Sequence, residues 1–131
     1  MQTLSKDEFD VKKDILLIKI KQGALFIHPT DTIYGIGCNA KNNDAVSKIR
    51  EIKKQHTSPF SIIAPSKDWI IENCEIKDEH KIWLDKLPGP YTLILRLRNK
   101  EAIAANVNLN IDTVGIRIPD HWFSKVVEKL N

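Results

Sequence analysis

A run of hydroxyl and glycine residues, residues 28–37, is the segment of this sequence best suited to bind a small polar ligand. It follows the apolar residues 24–27, and Pro29, which lacks an amide hydrogen, ends the hydrogen-bonding pattern of a strand there. Two threonine hydroxyls donate and accept hydrogen bonds, and two glycines let the backbone approach a ligand closely. These four residues are Thr30, Thr32, Gly35 and Gly37. The segment therefore predicts a ligand-binding loop at the carboxyl end of a strand.

Two cationic residues elsewhere are candidates to meet a ligand in this loop. Lys53 lies near the end of a predicted helix, from where its ammonium group could reach a phosphate or a carboxylate. The alternative for Lys53 is a solvated charge that offsets the helix dipole. Arg117 interrupts an apolar strand, where a guanidinium is costly unless it faces water or an anion, so it is either a carboxylate clamp or part of an exposed edge. Thr113 shares its strand face, because strand side chains alternate.

The composition narrows the class of protein. With 131 residues, 42% hydrophobic and 28% charged, the chain is typical of one globular domain with a single core. Residues 1–14 lack the apolar core of a signal peptide, and no run of roughly 18 apolar residues could span a bilayer, which predicts a cytoplasmic protein. The net charge of +3 is too small to establish a nucleic-acid partner. The two cysteines, Cys38 and Cys74, do not have metal-site spacing, and we expect both to be reduced thiols. The four histidines do not have metal-site spacing either, so we expect no structural metal; they are His28, His56, His80 and His121.

The hydrophobic pattern predicts the elements that must position these residues. Helices are expected over residues 9–21, 45–54, 65–71, 77–87 and 121–130, and strands over residues 24–27, 60–64, 91–97 and 113–118. In the first helix, Val11, Ile15 and Ile18, with Leu16 as a further candidate, predict the buried stripe. The continuous apolar run at residues 24–27 predicts a strand buried on both faces. The polar residues 99–112 predict a flexible loop over the site.

The helix that carries Lys53 has a clear predicted orientation. An asparagine-rich segment, residues 42–44, precedes it and supplies an N-terminal cap. Its inward residues are predicted to be Ala45, Val46, Ile49 and Ile52. Its outward residues are predicted to be Lys48, Arg50, Glu51 and Lys54.

Together, four motifs in order resemble the YrdC-like threonylcarbamoyl-AMP synthases, which start the formation of threonylcarbamoyladenosine in tRNA. Members of that family have a Pro-Thr-Asp/Glu-Thr-x-Tyr-Gly-Leu-Gly loop, a Lys-x-Arg segment before an apolar strand, a Pro-Gly-Pro-x-Thr turn and a Thr-Val-Gly-x-Arg-x-Pro strand. The matching positions are residues 29–37, 53–55, 88–92 and 113–119. The first and last motifs are the specific ones, and the match covers nearly the whole chain.

The resemblance implies an α/β fold with a twisted mixed sheet, flanked by helices, around a concave basic cavity that binds L-threonine and ATP. Bicarbonate would supply the carbamoyl carbon, and the carbamate of threonine would attack the α-phosphate of ATP and release pyrophosphate. Such chemistry depends on positioning and charge neutralisation, with magnesium on the phosphates. It needs no covalent nucleophile, so no catalytic residue is assigned.

The resemblance also assigns roles to residues by position. It implies that Thr30 and Thr32 bind the amino-acid substrate and that Arg117 binds the threonine carboxylate. Lys53 would contact that carboxylate or a phosphate, and Lys53 and Thr113 together would bind the nucleotide.

The sequence departs from the family pattern in two places. Gln55 stands where the family has an arginine, which keeps hydrogen bonding but loses a fixed charge and a bidentate fork. Gln55 and Tyr34 are expected to support the site. The family continues past the last helix into a strand with a Ser-x-Asn motif that helps to hold the nucleotide. We therefore expect residues 1–131 to be one YrdC-like domain, incomplete at its C-terminal end, whose exposed sheet surface is covered by another copy of the chain or by a second polypeptide.

Two other functions remain open at this point. A basic cavity on this fold could hold double-stranded RNA or tRNA without catalysis. Gln55 in place of the family arginine and the missing Ser-x-Asn motif favour that alternative. Its signature would be RNA affinity that falls steeply with salt. A further alternative is a carbamoyltransferase domain that handles a carbamoyl-adenylate within a larger protein.

Overall fold

A computed structural model describes residues 1–130 and contains five α-helices and five strands. The helices are α1 (Lys6–Lys21), α2 (Asn43–Lys53), α3 (Lys67–Asn73), α4 (Asp78–Leu84) and α5 (Phe123–Leu130). The strands are β1 (Phe26–His28), β2 (Gly35–Gly37), β3 (Ile62–Ile63), β4 (Leu93–Arg96) and β5 (Thr113–Arg117). The predicted α/β class is confirmed. None of the helices in residues 1–130 is long and apolar enough to cross a membrane.

The strands form two small sheets. β1 and β2 make an antiparallel pair, and β5 lies between β3, to which it is parallel, and β4, to which it is antiparallel. The expected mixed pairing is therefore present, although divided between two sheets. In β5, Val114 and Ile116 point into the core, whereas Thr113, Gly115 and Arg117 share the half-buried face, as alternation along a strand requires. That second face carries the candidate site.

The first helix is rotated away from its predicted orientation. Ser5 and Glu8 form a capping box that starts α1 three residues before the predicted start. The predicted stripe is wrong, because the side chains of Val11, Ile15 and Ile18 are all more than half exposed. The inward face instead includes Phe9, half-buried Leu17 and buried Ile20, and it keeps Leu16, the further candidate of the predicted stripe, which is half-buried. The cause is tertiary, since the Phe9 ring packs 5.6 Å from Trp122 and 6.3 Å from Phe123.

The strand before the ligand loop also differs from its prediction. β1 begins at Phe26, two residues after the predicted start, and Ile27 is 59% exposed, so the strand is not buried on both faces. Residues 28–37 are not wholly a loop, because Gly35–Gly37 turns back to pair with β1 as β2. The two threonines therefore lie in the connection of a hairpin, which defines their position more tightly than a free loop would.

In α2 the cap and three of the four inward residues are confirmed. The Asn42 side chain accepts a hydrogen bond from the Ala45 amide, and the buried apolar residues are Ala45, Val46 and Ile49. Two predictions for this helix are wrong: Ile52 is 61% exposed, and Arg50 is only 5% exposed. Arg50 is buried because a cluster of main-chain carbonyl groups surrounds its guanidinium.

The segment at residues 99–112 is not a polar cover over the site. It starts with a short 3₁₀ turn, Lys100–Ala102, and contributes Ile103 and Val107 to the core. Asn108 is buried as well, and its side-chain amide donates to the carbonyl groups of Ile111 and Thr113. Alternating small apolar residues and asparagines let this segment pack, and the side-chain amide groups of Asn106 and Asn108 donate hydrogen bonds, although Oδ1 of Asn106 is buried without a partner.

Candidate functional site

The connection between β1 and β2 is organised by one threonine. The Thr30 hydroxyl accepts hydrogen bonds from the amides of Thr32 and Ile33, each at 3.1 Å, and donates to the Ile33 carbonyl. These bonds use both lone pairs and the only proton of that hydroxyl. The Thr32 hydroxyl, 3.1 Å from the Thr30 oxygen, lies in an exposed residue and retains capacity for a ligand.

Arg117 has an ion-pair partner in the same connection. Its Nη2 donates to Oδ1 of Asp31 at 2.6 Å, and its Nη1 lies 3.4 Å from Oγ1 of Thr32. The side chains of Arg117 and Asp31 are 18% and 12% exposed, so water screens this pair weakly. The carboxylate is bound again through Oδ2, which accepts from the Asp120 amide at 3.0 Å. The anion that the sequence led us to expect beside Arg117 is therefore the carboxylate of Asp31, a residue of the same chain.

The environment of Asp31 keeps its carboxylate charged. Burial acts to raise the pKa of Asp31, but the hydrogen bonds from the Asp120 amide and the Arg117 guanidinium outweigh burial and lower that pKa below its ordinary value. Asp31 is thus ionised at neutral pH.

Thr30, Asp31, Thr32 and Arg117 form a polar cluster. A cavity of about 360 Å³, within the size range of small-molecule sites, lies next to this cluster. Apolar side chains from β1, β2, β3, α2 and α5 form most of its wall, and Lys21, Lys41 and Lys53 also line it. None of its lining residues within residues 1–130 is acidic, so the expected basic character is present. Ile63 of the cavity wall is the strand partner of Arg117 in the β3–β5 ladder, so the cavity and the cluster are neighbours, but Thr30, Asp31, Thr32 and Arg117 do not line the cavity.

The turn after Lys53 is held by the buried Arg50. Its guanidinium donates to the main-chain carbonyls of Gln55, Ser58, Asn106 and Val107 at 2.7–2.9 Å. These bonds join the end of α2 to residues 106–107 on the opposite side of the turn. The guanidinium of Arg50 also lies over the ring of Phe60, 4.1 Å from its centroid, so carbonyl oxygens and an aromatic face hold this buried cation.

The glycines of β2 have a packing role that the sequence did not predict. A Cβ atom at Gly37 would lie 2.9 Å from Cε2 of Phe26 and 3.0 Å from Cδ2 of His28, and one at Gly35 would lie 3.2 Å from Nε2 of His28. These glycines make room for two rings of β1. The His28 ring stacks on Phe123 at 5.1 Å, and burial lowers the pKa of His28 against the opposing effect of its bond to the Pro29 carbonyl.

Among residues 1–130, the one cysteine that lines the cavity is not activated as a nucleophile. Cys38 lines it as an unpaired thiol, but burial raises the pKa of Cys38 to about 11, so the thiolate is scarce at neutral pH. Cys74 is also unpaired, and it is fully buried. Within residues 1–130, no three acidic, cysteine or histidine side chains are grouped to hold a metal ion.

Comparison with known families decides the relationship. The family model Sua5_yciO_yrdC, described as "Telomere recombination", matches residues 19–130. The chain belongs to the Sua5/YciO/YrdC family. This confirms the resemblance drawn from the four motifs.

Named members of the Sua5/YciO/YrdC family share both sequence and fold with the chain. The putative threonylcarbamoyl-AMP synthase of Methanocaldococcus jannaschii is 39% identical over 119 residues, which cover 89% of this chain and 56% of that protein. The bovine (Bos taurus) threonylcarbamoyl-AMP synthase is 31% identical over 106 residues, covering 80% of this chain and 38% of the relative. The crystal structure of P. abyssi Sua5 complexed with L-threonine superposes with a TM-score of 0.81 at 29% identity and covers 98% of this chain and 37% of that one. The chain thus spans between about a third and just over half of these relatives.

Within this Sua5/YciO/YrdC domain, the predicted site residues fall into two groups and a remainder. Thr30, Thr32 and Arg117 come together, and Lys53 lines the adjoining cavity. The remaining three residues lie outside both groups. Thr113 lies at the other end of β5 from Arg117, and Tyr34 is exposed. Gln55 accepts a hydrogen bond from Arg50 through its main-chain carbonyl and does not line the cavity.

Three residues around the site were missed by reasoning from the sequence. They are Asp31, His28 and Arg50. Asp31 stood between the two selected threonines, and an acidic residue there was the one available signal for the partner of Arg117. His28 and Arg50 left no such signal, because their neighbours come from distant parts of the chain.

Proposed function

We propose that this chain forms a threonylcarbamoyl-AMP synthase site, which uses L-threonine, bicarbonate and ATP and releases pyrophosphate, for threonylcarbamoyladenosine formation in tRNA. The observation that supports it most is the junction of a threonine- and arginine-containing cluster with a lysine-lined cavity. The names of the relatives and the L-threonine in the P. abyssi Sua5 structure support the same proposal.

The amino-acid substrate is proposed to bind at the cluster. Arg117 uses one of its five N–H donors for Asp31, so other donors remain for the carboxylate of threonine. The Thr32 hydroxyl beside it would bind the substrate directly. Thr30 would act through the shape of the connection, because its own hydroxyl is already saturated.

The nucleotide is proposed to occupy the cavity. Its apolar walls suit a base, and the ammonium group of Lys53, with Lys21 and Lys41, suits phosphate groups. Thr113 would contact the nucleotide only if the latter extends along the open face of β5. Because no acidic residue among residues 1–130 lines the cavity, magnesium would travel on the phosphates, and we assign it no protein ligand.

The proposed chemistry joins two anions. The threonine amine adds to bicarbonate and loses water to give a carbamate. A carbamate oxygen then attacks the α-phosphorus of ATP, the bond from that phosphorus to the bridging oxygen breaks, and pyrophosphate leaves. The chain contributes position and positive charge, since a carbamate and a triphosphate repel each other without them.

The test is calorimetric titration of L-threonine and ATP, separately and together, followed by measurement of pyrophosphate release with all three substrates. We expect threonine to bind and to bind more tightly with ATP present. Binding of neither ligand would contradict the proposal. Binding of both without pyrophosphate release would restrict it to a substrate-binding domain.

Two further predictions accompany this proposal. A second copy or another polypeptide is expected to cover apolar sheet surface, and Ile94, 72% exposed on β4, belongs to such a surface. Sedimentation of a monomer at high concentration would contradict pairing between copies. A cytoplasmic location remains a prediction, to be tested by fractionation of cells.

The RNA-binding alternative draws on the same lysines. It would be favoured by affinity for double-stranded RNA or tRNA that falls steeply with salt, in the absence of threonine-dependent pyrophosphate release. Threonine-dependent pyrophosphate release separates the alternatives, because phosphates would lie on Lys53 in both of them.

A further inference from the structure

We infer that Asp31 is a positioning residue, which directs the guanidinium of Arg117 toward the carboxylate of the amino-acid substrate; this inference rests on the proposed function. Asp31 has no role among the residues selected from the sequence. Its importance follows from where its two carboxylate oxygens are bound.

The Asp31 carboxylate is held from two sides of the same chain corner. Oδ1 accepts from Arg117 at the end of β5, and Oδ2 accepts from the amide of Asp120, three residues farther along. Its side chain is 12% exposed. A carboxylate bound in this way has little freedom to move, so it is a fixed reference for the guanidinium that faces it.

The geometry at Arg117 shows that Asp31 can orient the guanidinium without using all of its hydrogen-bond donors. Asp31 takes a single donor, on Nη2, and Nη1 points toward the Thr32 hydroxyl at 3.4 Å. An arginine offers five donors in a rigid plane, so one fixed bond sets the direction of the rest. Asp31 thereby turns the remaining donors toward the side of the connection where Thr32 lies. Without it, the guanidinium regains rotational freedom that a substrate must remove on binding.

The experiment is calorimetric titration of L-threonine into the unaltered chain, Asp31→Asn and the control Asp120→Asn. Asp31→Asn places an amide against the guanidinium and is expected to weaken threonine binding at least tenfold. Asp120→Asn removes an exposed neighbouring carboxylate but keeps the amide that binds Asp31, so it should change the affinity less than twofold. Affinity for ATP should stay within twofold in both variants.

A double-mutant cycle separates positioning from general support of the fold. In an Arg117→Lys background, Asp31→Asn should cost less than threefold, because the planar group that Asp31 directs is gone. If Asp31→Asn does not fold, Asp31→Glu serves instead. Glutamate keeps the charge but shifts the carboxylate by one methylene, and it should weaken threonine binding without a change in the thermal unfolding temperature.

The possible results have separate meanings. Unchanged threonine affinity in Asp31→Asn would overturn the positioning role and leave the proposed function standing. Tighter binding would overturn it too, because Asp31 would then be a competitor for Arg117. Equal losses with and without the arginine would reduce Asp31 to a structural residue. Absence of threonine binding by the unaltered chain would overturn the proposed function, and the substrate role of Asp31 with it.

Discussion

The polar cluster around Arg117 and the neighbouring cavity differ in how their polar groups are held. In the cluster, Thr30, Asp31 and Arg117 bind one another or the neighbouring main chain, so its polar groups are oriented in the absence of a ligand. The cavity has apolar walls and lysines, and no acidic residue of the described chain lines it. The cluster can therefore recognise direction, whereas the cavity attracts negative charge over a wider range of positions.

This difference bears on how each part would lose function. A directional site should fail when a single donor is removed or turned. A charged apolar cavity should lose affinity in smaller steps, and its losses should depend on salt. Substitutions test that contrast, starting with Arg50, which joins the end of α2 to residues 106–107.

The largest effect is expected from Arg50→Leu. This substitution leaves four main-chain carbonyls without their donor in a buried place, so the free energy of unfolding should fall by about 4 kcal/mol. Urea unfolding measures it. Lys48→Leu, an exposed position on the same helix, is the control and should change stability by about 0.5 kcal/mol or less. A loss for Arg50→Leu as small as that of the control would show that the carbonyl cluster does not depend on the guanidinium.

Arg117→Ala should abolish most threonine binding. Removing a charged, partly buried donor set is expected to cost about 3 kcal/mol, roughly a hundredfold in affinity, while ATP affinity changes little. Calorimetry with each ligand checks both statements. Arg96→Ala removes a largely exposed arginine from β4 and is the matched control. Equal losses for threonine and ATP would contradict the division of the site into two parts.

Lys53→Ala should weaken ATP binding by about tenfold, equivalent to about 1.4 kcal/mol, and leave threonine affinity nearly unchanged. The difference should shrink at high salt, because Lys53 is exposed and its charge is screened. Titrations at two ionic strengths, with Lys48→Ala as the control, measure this effect. If threonine rather than ATP loses affinity, Lys53 belongs to the amino-acid half of the site.

The smallest effect concerns the wall of the cavity and its response to pH. Burial lowers the pKa of His28, so the unfolded chain takes up a proton more readily than the folded chain as the pH falls below about 6.5. Stability should therefore decrease on acidification through this residue. His28→Phe should reduce that decrease and should cost less than about 1.5 kcal/mol at pH 7.5, since a ring of similar size remains against Phe123.

Urea unfolding at pH 5.5 and 7.5 measures the response. His56→Gln, at an exposed position, is the control and should leave the pH response as it is in the unaltered chain. An unchanged response in His28→Phe would show that His28 is not the group responsible.

The secondary structure could be predicted where local chemistry decides it. The Asn42 cap and the shared face of Thr113 and Arg117 both follow from rules about neighbouring residues. Exact strand bounds did not follow, because β1 and β2 are short and exist through their mutual pairing.

Burial was predicted less well, and for one reason. Residues 9–20 contain two overlapping apolar stripes, and periodicity alone could not choose between them. Contact of Phe9 with Trp122 and Phe123, more than a hundred residues later, made the choice. Arg50 is a similar case, since two of its carbonyl partners, Asn106 and Val107, lie more than fifty residues away.

For the candidate site too, local sequence indicated some features and contacts between distant segments decided the others. Four ordered motifs were sufficient to indicate the family, the α/β class and the residues Thr30, Thr32, Lys53 and Arg117, because these depend on residue types and spacing. The ion pair of Asp31 with Arg117, the use of the β2 glycines and the cavity between the two sheets were decided by the tertiary structure alone. Periodicity along a chain determines which side chains share a face, but the partner that covers or binds this face comes from a distant segment.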